Sequence, residues 1–131
     1  MHDDVATDSL HSWDWKESSV AVTGFADEIR RVRKLGVGTQ DIAVAVGAQP
    51  GTVNAWARAT RRPTGEKRER FMELVSLVDR LEHVMAPRYV PLWLVKPIPA
   101  LGDRRPLELL SKGRYRDVSK LVAELESDSF S

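Results

Sequence analysis

Apolar residues recur along this chain at helical spacing, and a few glycines and prolines divide the pattern into pieces. Phe25, Ile29 and Val32 fall three and four residues apart, which predicts a first helix capped by Thr23. Asp27 and Glu28 near its start, and Arg30, Arg31, Arg33 and Lys34 near its end, complement the helix dipole. Gly36 and Gly38 stop it. Thr39 is the expected cap of a second helix running to about Val46, and Gly47 breaks it. Pro50 opens a third, where its missing N–H costs nothing; Val53 and Trp56 share one face, and the helix ends before Pro63. A longer helix is predicted from about Gly65 to Met85, with Phe71, Leu74, Val75, Val78, Leu81 and Met85 as its apolar stripe.

Pro87 marks the expected boundary between two units. Beyond it Pro91, Pro97, Pro99 and Pro106 cut the chain into short pieces and exclude long helices. Leu107, Leu109 and Leu110 suit a short helix that Pro106 begins and Gly113 ends. A last helix from about Tyr115 is expected to bury Val118, Leu121, Val122 and Leu125, with Ser127 to Ser131 frayed. No strand signal and no internal repeat appears. The expected fold is therefore all-α, divided into an arm (residues 1–19), a first helical domain (20–86) and a second (87–131).

Composition changes this picture in two places. The 131 residues carry a net charge of only +1, but unevenly. Residues 1–19 hold five acids and one base, and are expected to be a flexible acidic arm, although Trp13 and Trp15 are unusual in such a segment. Residues 20–85 hold eleven bases and eight acids, with Arg58, Arg61, Arg62, Lys67, Arg68 and Arg70 close together, which suggests a local electropositive face. No apolar run is long enough to cross a bilayer. The absence of cysteine excludes disulfides and thiolate metal sites, and the acidic N-terminus differs from a signal peptide. Both features set the expectation of a cytoplasmic protein.

Residues 39–58, Thr-Gln-Asp-Ile-Ala-Val-Ala-Val-Gly-Ala-Gln-Pro-Gly-Thr-Val-Asn-Ala-Trp-Ala-Arg, resemble the helix-turn-helix of phage-repressor-like (Xre-type) regulators. Ala43 is small where the second helix would cross, Gly47 permits a left-handed turn, and Ile42, Val46, Val53 and Trp56 fill the space between the helices. The resemblance implies that the second helix enters the major groove. Gln49, Thr52, Asn54 and Arg58 would then face DNA, Gln40 would touch a phosphate, and Arg61 and Arg62 would add to that contact. Pro50 and Gly51 leave few side chains at the reading end.

A second pattern follows: Trp93-Leu94, Pro97-Ile98-Pro99-Ala100-Leu101-Gly102, Arg105-Pro106-Leu107-Glu108-Leu109-Leu110, then Gly113, Tyr115 and Val118. It is similar to the toxin-binding domain of the Xre/MbcA/ParS-type antitoxins, which in that family also follows a helix-turn-helix. The resemblance covers residues from about 24 to 126. It implies the antitoxin of a type II toxin–antitoxin module, whose partner is a RES-domain toxin that degrades NAD and whose cleft the antitoxin closes. It implies operator DNA as a further partner, a homodimer within a hetero-oligomeric complex, and no cofactor. Trp93, Arg105, Lys112, Arg114, Tyr115, Arg116 and Lys120 are the toxin-binding candidates on this reading, with the basic terminal helix nearest the cleft. The residues themselves say less: a proline-fixed apolar segment is either a small core or a binding surface, and Trp93 and Leu110 are expected to be buried.

Catalytic and metal patterns are missing. His2, His11 and His83 are isolated, no Gly-rich phosphate loop appears, and Glu124 and Glu126 read as surface carboxylates on adjacent turns. The expectation is a binding protein without chemistry of its own. Two other readings stay open at this level: an Xre-family repressor whose C-terminal module only dimerises, and a partner-binding protein whose helix-turn-helix no longer binds DNA.

Overall fold

The computed structural model describes residues 24–129. The acidic arm, the predicted Thr23 cap and the last two residues lie outside the described residues. Among those described, seven α-helices follow one another: α1 (Phe25–Leu35), α2 (Thr39–Val46), α3 (Pro50–Ala57), α4 (Gly65–Glu82), α5 (Val90–Leu94), α6 (Pro106–Ser111) and α7 (Tyr115–Ser129). Two 3-10 turns, Pro87–Tyr89 and Pro99–Leu101, flank α5, and the one extended pairing among the described residues is an isolated bridge between Ile98 and Arg104. The expected all-α class is what the chain adopts.

Helix α4 is the axis. Phe71, Leu74, Leu77, Val78 and Leu81 are fully enclosed. Helices α1, α2, α5, α6 and α7 all pack on it, and Trp56 of α3 meets the Phe71 ring at 6.3 Å between centroids. Helix α2 packs on α3 on one side and on α6 on the other. The described residues on either side of the Pro87 boundary thus share one continuous core from Phe25 to Val122.

Several local expectations shift. Thr39 is the first residue of α2, not its cap; Gly38 occupies the cap position, and the Thr39 hydroxyl accepts a bond from Arg33 at 3.2 Å. Helix α4 ends at Glu82, three residues early, and Met85 closes a following turn through its N–H to Leu81. Leu77 joins the α4 stripe because α4 is covered on more than one side. Trp93 is half-buried rather than enclosed: α5 turns Val90 and Leu94 inward and leaves Leu92 61% exposed. On α7, Val118 and Val122 are buried while Leu121 and Leu125 are half-buried, and the helix continues through Ser129 where fraying was expected.

Two glycines set the corners before and after α2. Gly47 has φ 74° and ψ 35°, the left-handed conformation expected of it, and its N–H bonds to Ala43. Gly36 has φ 120°, and a Cβ there would lie 2.9 Å from Pro91 Cγ, so the end of α1 abuts the start of α5. Gly47 by contrast faces open space. Gly47→Ala should therefore cost only the backbone strain, about 1–2 kcal/mol. Gly36→Ala adds a steric conflict in a conformation outside the left-handed helical region, and should lower the melting temperature distinctly more. Thermal melts of the two variants check the order.

Candidate functional site

Helix α7 lies over α4 with one face inward, and its residues divide by their angle around the axis. Val118 and Val122 point into the core. Ser119 and Glu126 face Arg80 of α4. The Arg80 guanidinium donates from Nε and Nη2 to the two carboxylate oxygens of Glu126, at 3.0 and 2.8 Å, and from Nη1 to the Ser119 hydroxyl at 2.7 Å. This forked, charge-assisted contact fixes how α7 is rotated. The hydrogen bonds from Arg80 hold the Glu126 carboxyl below the usual carboxylate range, and the Glu126 bonds in turn raise Arg80. Glu126 is thus a clamp residue rather than an unpaired surface carboxylate.

The opposite flank of α7 carries Asp117, Lys120, Leu121 and Glu124, which border a groove of about 530 Å3. Its other wall is the turn Ala100–Gly102 with Arg104, and Leu109 of α6 forms part of its lining. Gly102 holds the turn with φ 69°, and Arg104 bridges back to Ile98. Three cations (Arg104, Arg114, Lys120) and two carboxylates (Asp117, Glu124) line it together with Ala100, Leu101, Leu109 and Leu121. Arg114 is paired with Asp117 at 2.6 Å.

The C-terminal candidates distribute unequally over this surface. Arg114 and Lys120 line the groove. Arg116 is exposed on the outer face of α7, and Lys112 is exposed with its ammonium 3.8 Å from Glu108. Arg105 is exposed at the cap of α6. Tyr115 is turned the other way, its hydroxyl 3.4 Å from Ser76 on α4. Trp93 is half-buried on α5. Arg104, Asp117, Leu121 and Glu124 were not among the candidates; only the fold of the proline-rich turn against α7 brings them together.

The N-terminal candidates lie on α2, α3 and the turn after α3. Gln40, Gln49, Arg58, Arg61 and Arg62 are exposed, and Thr52 is half-buried. Asn54 is committed inside the fold: its Oδ1 accepts from Arg33 Nη1 at 2.9 Å. Arg30 adds a second strut from α1 to α3, donating to the Ala57 carbonyl at 2.6 Å. Ile42, Ala43, Val46, Val53 and Trp56 are buried where α2 and α3 meet, as their spacing predicts. Among the described residues no group of His, Cys, Asp and Glu could hold a metal ion, and no helix is long and apolar enough to cross a membrane.

No family model matches the chain. Curated relatives do. A probable mycobacterial cidal antitoxin of Mycobacterium tuberculosis is 33% identical over 87 residues, covering 66% of this chain and 74% of the relative. The mycobacterial cidal antitoxin MbcA of the same organism is 25% identical over 99 residues, covering 76% and 88%. A Prs ADP-ribosylating antitoxin of a Sphingobium species is 29% identical over 117 residues, covering 80% and 74%. Among solved structures, a chain of the M. tuberculosis MbcT–MbcA toxin–antitoxin complex superposes with a TM-score of 0.69 at 24% identity, over 79% of this chain and 94% of that one.

The Arg80–Glu126 clamp has a defined pH signature. Its contribution is present above the ordinary glutamate range and is lost as pH falls through the depressed value of Glu126. A carboxyl-detected NMR titration should place the Glu126 midpoint below the ordinary glutamate range. Arg80→Met should return it to the ordinary range and raise hydrogen exchange in the last turns of α7.

Proposed function

Because the chain belongs to the MbcA family of antitoxins, we propose that it is the antitoxin of a type II pair and neutralises a RES-domain toxin that degrades NAD. The observation that carries the contact surface is the groove between the Ala100–Gly102 turn and α7. Its mixture of charged groups with Leu101, Leu109 and Leu121 suits a contact with another protein. One surplus positive charge makes it complementary to an acidic segment. Arg116, Lys112, Arg105 and Trp93 lie outside the groove's lining and are further contact candidates in this half of the chain. The chain needs no cofactor for this work: binding alone closes the toxin's cleft.

The same reading has the chain repress its own operon. Supporting it are the left-handed turn at Gly47, the small Ala43 at the crossing, and the exposed Gln40, Gln49, Arg58, Arg61 and Arg62. Asn54 is engaged by Arg33, so base reading falls to Gln49 and Thr52 at the start of α3. With Gly51 and its proline neighbour contributing little, phosphate contacts outweigh base contacts. Two half-sites one helical turn apart require two copies of the chain, a homodimer inside the larger toxin complex.

Two experiments test these roles separately. Arg104, Arg114 and Lys120 changed together to Glu should leave a folded protein that no longer protects: cells co-expressing the toxin should become depleted of NAD. Full protection by the folded triple variant would remove the groove from the interface. Arg61→Ala with Arg62→Ala should weaken binding to all DNA sequences and reduce the slope of log K against log salt by about two. An unchanged slope would take both residues off the phosphate backbone.

A further inference from the structure

Arg33, near the end of α1, differs from other arginines of α1 and α4 in what it bonds. Arg30, Arg31, Arg70 and Arg80 each face a carboxylate. Arg33 meets only neutral oxygens among the described residues: its Nη1 donates to the Thr39 hydroxyl at 3.2 Å and to Asn54 Oδ1 at 2.9 Å. Its charge is therefore uncompensated there, and these bonds use Nη1 alone, leaving the N–H groups of Nε and Nη2 for a further acceptor. Arg33, Thr39 and Asn54 are all half-buried, so the cluster reaches the surface. It does so where α1, α2 and α3 meet, next to the exposed Gln40 of α2 and one helical turn from the exposed Arg58 that ends α3.

The bond to Arg33 dictates how the Asn54 carboxamide is turned. A guanidinium has donors and no acceptor, so Asn54 can meet it only through Oδ1. What Asn54 keeps for a further partner is Nδ2, a pair of donors. Reading adenine requires a donor and an acceptor together from one carboxamide. With its oxygen turned toward Arg33, Asn54 cannot lay that pair along a base edge. A phosphate oxygen only accepts, and it suits a cluster that offers N–H groups beside an uncompensated positive charge. A purely internal strut between α1 and α3 would need neither the charge nor the surface position.

We propose that Arg33 and Asn54 together grip the DNA backbone, with Arg33 as the positioning residue that makes Asn54 a donor to a phosphate oxygen. The proposal rests on the reading of α2 and α3 as a DNA-binding unit. It gives Asn54 a backbone contact in place of the adenine readout its residue type suggests, and it adds a cation from α1, outside the helix-turn-helix segment itself. Arg33 acts twice: it fixes the carboxamide, and it brings its own charge toward the same phosphate. Because Thr39 shares Nη1, the start of α2 is tied into the cluster, and the bound phosphate lies across the junction of all three helices.

The test uses the full chain and a set of promoter duplexes differing by single base pairs, with melting temperatures verifying that each variant folds. Asn54→Ala should weaken binding to every duplex by a similar, several-fold factor and leave their ranking unchanged. Arg33→Met should weaken it further and reduce the slope of log K against log salt by about one. It should also create a preference for adenine at one position where the wild type has none, because the carboxamide is then free to turn. Arg33→Lys should restore the slope and the indifference. If Arg33→Met does not fold, Asn54→Ala carries the test, together with the Asn54 side-chain amide resonances of the wild type, which should shift on adding DNA. Wild-type affinity in Asn54→Ala, a loss confined to one base pair, or an unchanged slope in folded Arg33→Met overturns the proposal. A wild-type chain that binds none of the duplexes at low salt is a distinct result: it removes the DNA-binding reading, and this contact with it.

Discussion

Helix α4 presents apolar side chains in more directions than one neighbour can cover. Phe71, Leu74, Leu77, Val78 and Leu81 have no solvent access, and five other helices are drawn onto them. At about 25 cal/mol per Å2 of apolar surface removed from water, a stripe of this kind dominates the energetics of so short a chain. The consequences are positional. Trp56 is set against Phe71, which fixes α3, and Val118 and Val122 come down on the other flank, which fixes α7. Arg80 then selects the rotation of α7 by gripping Glu126 and Ser119. The two surfaces assigned to partners are thus oriented by one helix.

Prolines shape the second half by opening helices. Pro91 and Pro106 sit in the first turns of α5 and α6, and Pro87 and Pro99 begin the 3-10 turns. At these positions the ring's fixed φ is compatible and the missing donor would have been unpaired anyway. A rigid turn results, and the wall of the groove facing α7 is held without a strand or a disulfide. Pro91 also meets Gly36, so the path of the second half is registered on the end of α1.

Much of this was readable from spacing. The helices α1 to α4, α6 and α7, the left-handed Gly47, the Pro50 start and the buried residues between α2 and α3 all follow from local rules about caps, turns and period. What stayed hidden depends on distance in sequence. Arg33 and Asn54 are 21 residues apart and Arg80 and Glu126 are 46 apart, and no local pattern announces either bond. The five-residue helix α5 has no local signature because a run containing Pro91 reads as irregular, and the half-buried position of Trp93 depends on how α5 is oriented. Leu77 lies off the single stripe expected of an amphipathic helix; it is buried because α4 is covered on several sides. Of the groove's lining, Arg114 and Lys120 are basic residues that the family resemblance singles out in the sequence. Arg104 and Leu121 became part of it only through the turn at Gly102.

The shared core also has a thermodynamic consequence. With α2 packed on α6 and α4 on α7, opening of either half strips buried surface from the other. A partner bound at either end then withdraws molecules from unfolding of the whole chain. At a concentration a hundred times its Kd, that linkage is worth about 2.7 kcal/mol, or roughly a hundredfold fewer open molecules. A protease that cleaves open chains would therefore clear the unpartnered protein far faster than the occupied one, and the survival of the α2–α3 half would be governed by occupancy at α7.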